Sequence, residues 1–410
     1  MAQARSSNIV VIGGGPAGVF AAIEAKRTDP AANVLLLSDE ACEPYEKPPL
    51  SKAVLTGKAL PEHALIAGPG GTAKHDVVLE RTASVSAIDR GAREVVTAGG
   101  RRYPYDALVL ATGSLVRELP QLPLGMNRVH YLRTEADARA LSAALRGCKR
   151  LVVVGGGLIG LEAAASAAEL GIATTVLEVA PRILARVCDE ETGAFIAAHH
   201  RKHGVDIRTG TMIAQVQPAA DGITLTTAVG ENFAADVIVV GTGVKPNDAL
   251  AASAGLAVDN GIMVDEHCRT ADPAIFAAGD AVRFPAPHGL ARLENWRHAQ
   301  DQGAVAGRNA AGAGEAYRTV PSFWSEQYDL YIQGVGWPPH GPAQHVRRPL
   351  AGNSLLAFDV ADGLLAYAMG INAQRDLAAA RRLIERRIKV DLTALADPAR
   401  PLASLLKASV

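Results

Sequence analysis

Two glycine clusters of matching spacing carry the chemistry of this chain: Gly13-Gly14-Gly15-Pro16-Ala17-Gly18 and Gly155-Gly156-Gly157-Leu158-Ile159-Gly160. In such a cluster the first glycine makes a tight turn. The second lets the backbone approach a pyrophosphate, and the last lets a helix pack closely on a strand. The helix that follows aims unpaired N–H groups and the positive end of its dipole at the phosphates. An acid is expected about 20 residues further on, where it accepts from a ribose hydroxyl. Both halves supply one: Asp39 or Glu40 in the first, Glu178 in the second. A single cluster would be an ordinary glycine turn with incidental acids. Two in the same setting imply two dinucleotides held at once, and electron transfer between them is the chemistry that needs both.

Such clusters need a strand before them and a helix after. The apolar runs Ile9-Val10-Val11-Ile12 and Leu151-Val152-Val153-Val154 read as buried strands, each opening into an apolar helix. Beyond each acid come short alternating segments, at 82–88, 93–97 and 102–105 in the first half and at 212–217 and 223–227 in the second. Each half closes on an apolar strand ending in glycine, Ala107 to Gly113 and Asp236 to Gly243. The same order occurs twice, which points to two similar nucleotide-binding folds. Another apolar strand, Ile275-Phe276-Ala277-Ala278, runs into Gly279-Asp280 and is followed by a helix over 296–310. From Ser322 the pattern changes to antiparallel strands at 328–335, 354–359 and 364–369, then a basic helix at 376–387. The expected fold is α/β: two Rossmann-like dinucleotide-binding domains, the second inserted in the first, plus a C-terminal α+β domain. The expected boundaries are 1–115 with 246–321, 116–245, and 322–410.

At 410 residues there is core for two or three domains. A hydrophobic content of 49% with 20% charged residues is globular rather than disordered. A net charge of −1 provides no overall basic field for nucleic acid. The first residues lack the apolar core of a signal peptide, and no apolar run is long enough to span a bilayer. The expectation is a soluble cytoplasmic protein, monomer or homodimer, with no membrane or nucleic-acid partner. Cys42, Cys148, Cys188 and Cys268 are too widely spaced for a disulfide or metal pattern. His199, His200 and His203 share helix faces in pairs that could ligate a metal. Gly204 follows them, however, so with Arg201 and Lys202 they read as a cationic last turn that complements the helix dipole, and no metal is expected.

The sequence resembles the FAD-dependent NADH–ferredoxin reductases that serve Rieske dioxygenases and bacterial cytochromes P450, within the glutathione-reductase-like flavoproteins. The resemblance runs over nearly the whole chain. Its most specific stretch is Pro44-Tyr45-Glu46-Lys47-Pro48-Pro49-Leu50-Ser51-Lys52. Leu132-Arg133-Thr134, the segment from Gly155 to Glu162, Ala278-Gly279-Asp280, Trp296, Phe323-Trp324-Ser325-Glu326-Gln327 and Leu395-Ala396-Asp397-Pro398 also match. Lys47 departs from the arginine of many relatives, which keeps the charge but loses the fork geometry.

The resemblance implies FAD on the first fingerprint and NADH on the second. For FAD it implies Gly13, Gly15, Pro16, Ala17 and Gly18 at the pyrophosphate, Asp39 or Glu40 at the adenosine ribose, and Arg133 as a cation for the phosphates. It adds Lys47, Lys52, Ala83, Ala111, Thr112, Gly113, Gly279 and Glu294, with Asp280 on the ribityl hydroxyls. Trp296 would start a helix facing the pyrimidine end of the flavin, and Trp324 would stack near the rings. For NADH it implies Gly155, Gly157, Leu158, Ile159, Gly160, Glu162, Glu178, Arg182, Arg186 and Gly243. Glu178 would accept from the ribose 2′-hydroxyl and repel a 2′-phosphate. The catalytic set would be Lys52, Glu162 and Trp324, with Lys52 beside the flavin and paired to Glu162. Pro48 and Pro49 would place Lys52 in a first helical turn, where a cation is disfavoured and needs another reason to stand. At about 4 Å and an effective dielectric of about 20, such a cation stabilises a developing anion by roughly 4 kcal/mol before desolvation.

The resemblance implies a small [2Fe–2S] ferredoxin as partner. Basic groups able to steer an acidic ferredoxin are Arg292, Arg297 and Arg308, and the run Arg375, Arg381, Arg382, Arg386, Arg387 and Lys389. The competing readings are an NADH oxidase or thiol-linked flavoenzyme using Cys42, and a flavin-bound interaction protein resembling apoptosis-inducing factor.

Overall fold

The computed structural model describes residues 6–219 and 221–407. Helices α1 (Pro16–Thr28), α2 (Glu135–Leu145), α3 (Leu158–Glu169), α4 (Glu190–Lys202), α5 (Ala249–Ser253), α6 (Trp296–Ala310) and α7 (Gln374–Glu385) follow in chain order. The chain gathers into two units. One comprises the chain up to Glu46, Pro61–Leu115 and Val244–Thr319; the other comprises Lys47–Leu60, Val116–Gly243 and the chain from Val320.

The first unit is built on a five-stranded parallel sheet in the order Ile275–Ala277, Ala107–Leu110, Asn8–Ile12, Asn33–Leu37, Val78–Glu80. The strand that leads into the first fingerprint lies at its centre, and Ile9 to Ile12 are all buried, as a strand covered on both faces requires. α6 packs along α1 at very short range. A Cβ on Gly303 or Gly307 would lie 2.2 or 2.0 Å from the carbonyl oxygen of Ala17 or Ala21, so glycine at these two positions sets the approach. The unit also holds a meander of Val85–Asp89, Glu94–Thr97 and Arg102–Pro104, on the pattern expected, and a small sheet of Ile262–Met263, Val282–Ala286 and Gly289–Ala291.

The second unit repeats the plan: Asp206–Arg208, Ala173–Leu177, Arg150–Val154, Val237–Val240, Val129–Tyr131. Its meander adds a strand, Asn232–Ala235, too short and too weakly alternating to be read from sequence. Its C-terminal portion is a five-stranded antiparallel sheet in the order Ser322–Gln327, Leu330–Gly336, Leu364–Ile371, Leu355–Ala361, Gln344–Pro349, with α7 packed on it. Leu330, Ile332, Met369 and Ile371 share one apolar cluster with Leu151, Val153, Leu161 and Ile196 of the dinucleotide fold, and Leu55 joins it. That continuous core is why the C-terminal sheet and the 47–60 segment belong with the second unit.

Register aligns the repeats residue by residue. Ile12 stands opposite Leu37 as Val154 stands opposite Leu177. The position equivalent to Glu178 is therefore Ser38, not Asp39 or Glu40.

Candidate active site

Both fingerprints close as their spacing demands. Gly13 and Gly155 take φ of +117° and +111°, and a Cβ on either would lie 2.1 or 2.5 Å from the carbonyl oxygen of Ala111 or Gly241. Gly18 and Gly160 admit the same close approach one helical turn on. Gly15 and Gly157 differ, because each has ordinary extended backbone with φ of −82°. Among the described residues no atom lies within 4 Å of a Cβ on Gly15, and for Gly157 the nearest is the Gly241 oxygen at 4.0 Å. The fold itself has room for a side chain at both, so its absence serves something outside the fold. α1 and α3 also begin without a side-chain cap, whereas Thr134, Asp189 and Asn295 cap α2, α4 and α6. Open N–H groups at two such turns fit two pyrophosphates.

Around the first fingerprint, the expected residues that belong to this unit make the following contacts. Ala83 N donates to Ser38 O at 2.8 Å, and Ala111 N to Ile12 O at 2.8 Å. Thr112 Oγ1 donates to Asn247 O at 2.6 Å, and Gly113 O accepts from Asn247 N at 2.9 Å. Gly279 N donates to the buried Gln302 Oε1 at 2.8 Å, and Asp280 Oδ2 accepts from Ser114 Oγ at 2.8 Å. Trp296 opens α6 and meets Phe20 edge-on, with centroids 6.2 Å apart. Burial pushes the Glu46 carboxyl up, and the neighbouring Trp296 indole opposes that shift. Glu46 is a polar neighbour of Trp296 that sequence reasoning missed. Glu294 pairs with Arg292 at 2.5 Å. Asp39 is exposed, while Glu40 Oε2 accepts from Tyr45 Oη at 2.5 Å.

In the second fingerprint the Glu178 carboxylate accepts from Gly156 N at 2.6 Å and Ala180 N at 2.7 Å. Two backbone donors fix it over the glycine turn, and each oxygen retains a lone pair. Ile159 is exposed at the start of α3. The Arg182 guanidinium donates to Cys188 O at 2.7 Å and Ala185 O at 3.0 Å within its own loop. Arg186 is exposed, with Nη2 3.6 Å from a Cβ placed on Gly243. Arg133 precedes the α2 capping box, its backbone N donating to Asp137 Oδ2 at 3.0 Å.

Lys52 and Glu162 do meet. Lys52 Nζ donates to Glu162 Oε2 at 2.9 Å, with side chains 19% and 3% exposed. The segment around Lys52 is not the helix its prolines suggested. Lys52 N reaches back to Pro49 O, Val54 N to Pro49 O and Thr56 N to Lys52 O, a mixture of three-, five- and four-residue steps. Two prolines remove two donors, and no regular helical ladder forms. The pair stands without any argument from a helix dipole.

Glu162 is also the end of a longer chain of donors. Ser51 Oγ donates to its Oε2 and Ser325 Oγ to its Oε1, the latter at 2.6 Å. Gln327 Nε2 donates to Ser325 Oγ at 3.0 Å, and His200 Nε2 meets Gln327 Oε1 at 2.8 Å. Burial pushes His200 down to about 4, so its ring is neutral at pH 7. An amide oxygen only accepts, so the proton sits on Nε2. Every donor then points toward the carboxylate, and each bond polarises the next. Strand alternation puts Ser325 and Gln327 on one face and Trp324 on the other, so Trp324 is not part of the Glu162 cluster. Ser51, Ser325, Gln327 and His200 escaped sequence reasoning. Two of the matched motifs contain Ser51, Ser325 and Gln327, but no pattern in them marks Glu162 as the shared acceptor.

The family described as pyridine nucleotide-disulphide oxidoreductase matches residues 7–303, and a reductase C-terminal family matches residues 322–406. The chain belongs to this oxidoreductase family. It is 39% identical, over 97% of its length and 98% of the relative's, to the anthranilate 1,2-dioxygenase system ferredoxin–NAD(+) reductase component of Burkholderia cepacia. It is 34% identical to putidaredoxin reductase of Pseudomonas putida, each chain 98% covered. The crystal structure of the covalent putidaredoxin reductase–putidaredoxin complex matches with a TM-score of 0.93 at 34% identity, covering 99% of each chain. Among the described residues no helix is long and apolar enough to cross a membrane.

Proposed function

We infer that this protein is an NADH-dependent, FAD-containing reductase of a small [2Fe–2S] ferredoxin that feeds an aromatic-ring dioxygenase or a haem monooxygenase. One observation carries the reading: two uncapped helix starts, each behind a glycine whose side chain the fold does not exclude, in a chain similar from end to end to ferredoxin–NAD(+) reductases. Bound FAD supplies acceptance of a hydride from NADH and release of the electrons one at a time.

The residues of the first fingerprint and the start of α1 hold the FAD pyrophosphate, Asp39 the adenosine ribose and Asp280 the ribityl chain. Those of the second hold NADH, and the fixed Glu178 carboxylate repels a 2′-phosphate, giving preference for NADH over NADPH. Arg186 contributes the cation to that site. Lys52 provides a fixed positive charge for the flavin, and Glu162 with its donors holds the ammonium in one place. No general acid or base is required, so the work of this chain is binding, orientation and electrostatics. None of the four cysteines forms a disulfide, which fits the reducing cytoplasm where NADH is drawn on.

Lys52→Met tests the assignment of the pair. FAD content should remain near wild type while anaerobic flavin reduction by NADH slows by about tenfold or more, a rise of about 1.4 kcal/mol in the barrier. An unchanged rate removes Lys52 from the site.

A further inference from the structure

The histidines at the end of α4 read from the sequence as a cationic last turn before Gly204, and the fold brings Asp329 to them from 126 residues away. We propose that His199, His203 and Asp329 form a binding site for a divalent transition metal of the zinc class. All three belong to the second unit, and one ligand atom from each lies within 4.8 Å of the others. His199 lies in the last turn of α4 and His203 caps the helix four residues on, with the two ring centroids 4.7 Å apart. Asp329 sits in the two-residue turn between the strands Ser322–Gln327 and Leu330–Gly336.

The surroundings are those of a metal site rather than of a chance ion pair. His203 Nδ1 bonds the His199 carbonyl at 2.9 Å, which puts the ring proton on Nδ1 and leaves Nε2 with its lone pair. His199 Nε2 stands 2.6 Å from Asp329 Oδ1, and the other carboxylate oxygen accepts from Asn353 Nδ2 at 2.8 Å. A backbone carbonyl behind one ligand and an amide behind another are the usual outer partners of bound zinc. Tyr328 holds the rings in place: it stacks on His203 at 3.9 Å with an interplanar angle of 11° and meets His199 edge-on at 5.7 Å. It does so at φ +57°, a left-handed conformation uncommon for a bulky residue. His199 is buried, and the Asp329 side chain is 59% exposed, so the site opens to water on one side. Three protein ligands with one open position match zinc's tetrahedral preference, and ligand atoms around such an ion stand about 3.3 Å apart.

His200 is not a ligand, since its Nε2 bonds Gln327. Cys188 is buried, with its thiol on the Leu184 carbonyl. A bound ion would tie α4 to the hairpin that carries Ser325 and Gln327.

Chelator-treated, FAD-loaded protein titrated with zinc chloride in a calorimeter tests the site. Wild type should take up about one zinc per chain, with affinity reduced at least about tenfold in both H203Q and D329N and by about tenfold in N353A. H345Q, which breaks the separate His345–Asp359 pair, should bind as wild type does. Zinc should raise the Tm of wild type and leave that of D329N unchanged. Absence of wild-type binding, or equal binding by wild type, H203Q and D329N, overturns the proposal.

Discussion

Glu162 is a buried carboxylate with three donors on two oxygens: Lys52, Ser51 and Ser325. Removing an ion partner from such a position costs more than forming the pair gains, because the remaining charge is left desolvated. The arrangement is therefore a fixed dipole, suited to holding an ammonium still rather than to moving protons. His200 closes the chain from the other end, and its burial makes a pH prediction. Its folded pKa, about 4, lies below the ordinary value of about 6.5. A depressed value favours the neutral ring in the fold, so this contribution is complete above about pH 6.5 and is lost as pH falls toward about 4, with an upper limit of about 3 kcal/mol. Urea unfolding at pH 7, 5.5 and 4 should show the loss, and H200Q should flatten it; a pH-independent stability over that range would contradict it.

At the scale of elements, the glycine turns were legible because their spacing is dictated by a strand, a turn and a helix in contact. The bounds expected for α6, 296–310, are those found. What escaped were features set by long-range register. Ser38 occupies the place of Glu178 only because Ile12 pairs with Leu37 as Val154 pairs with Leu177. The Pro48-Pro49 pair suggested a helix start, but it also deletes the donors a helix needs. The bonds of the Arg182 guanidinium to the Ala185 and Cys188 carbonyls were likewise not legible from its distance to the acid. Glu162 lay in a matched motif, while its donors Ser51 and Ser325 lie 111 and 163 residues away. The glycines make a sharp prediction at this scale. Gly15→Ala should lower FAD content while leaving apoprotein stability within about 0.5 kcal/mol, because the fold has space for the methyl. Gly160→Ala should cost stability even without nucleotide, since its Cβ would lie 2.1 Å from the Gly155 carbonyl oxygen. Equal thermal shifts in the two apoproteins would contradict this distinction.

For the whole molecule, a formal net charge of −1 leaves ferredoxin steering to local patches. Several arginines expected to provide one are already paired: Arg292 with Glu294, Arg297 with Asp301, Arg308 with Glu24 and Glu315, Arg381 with Glu385. Arg375, Arg382, Arg386, Arg387 and Lys389, at and beyond α7, are exposed and form no ion pair among the described residues. Charge reversal at Arg382 or Arg386 should raise the ferredoxin KM and weaken its dependence on ionic strength, with the charges within a Debye length of about 10 Å at 0.1 M salt. NADH-to-flavin transfer should not change. A ferredoxin KM unaffected by either reversal would take docking away from this patch.

A reductase of this kind joins a two-electron donor to a one-electron acceptor in one protein. An anaerobic titration reads this directly: the purified yellow protein is reduced with NADH, then mixed with a [2Fe–2S] ferredoxin in the absence of oxygen. The prediction is bleaching of the flavin absorbance by NADH, much less readily by NADPH, followed by its return as two ferredoxins are reduced for each NADH consumed. A flavin that NADH fails to bleach, or that recovers only with oxygen or peroxide and never with ferredoxin, would contradict it.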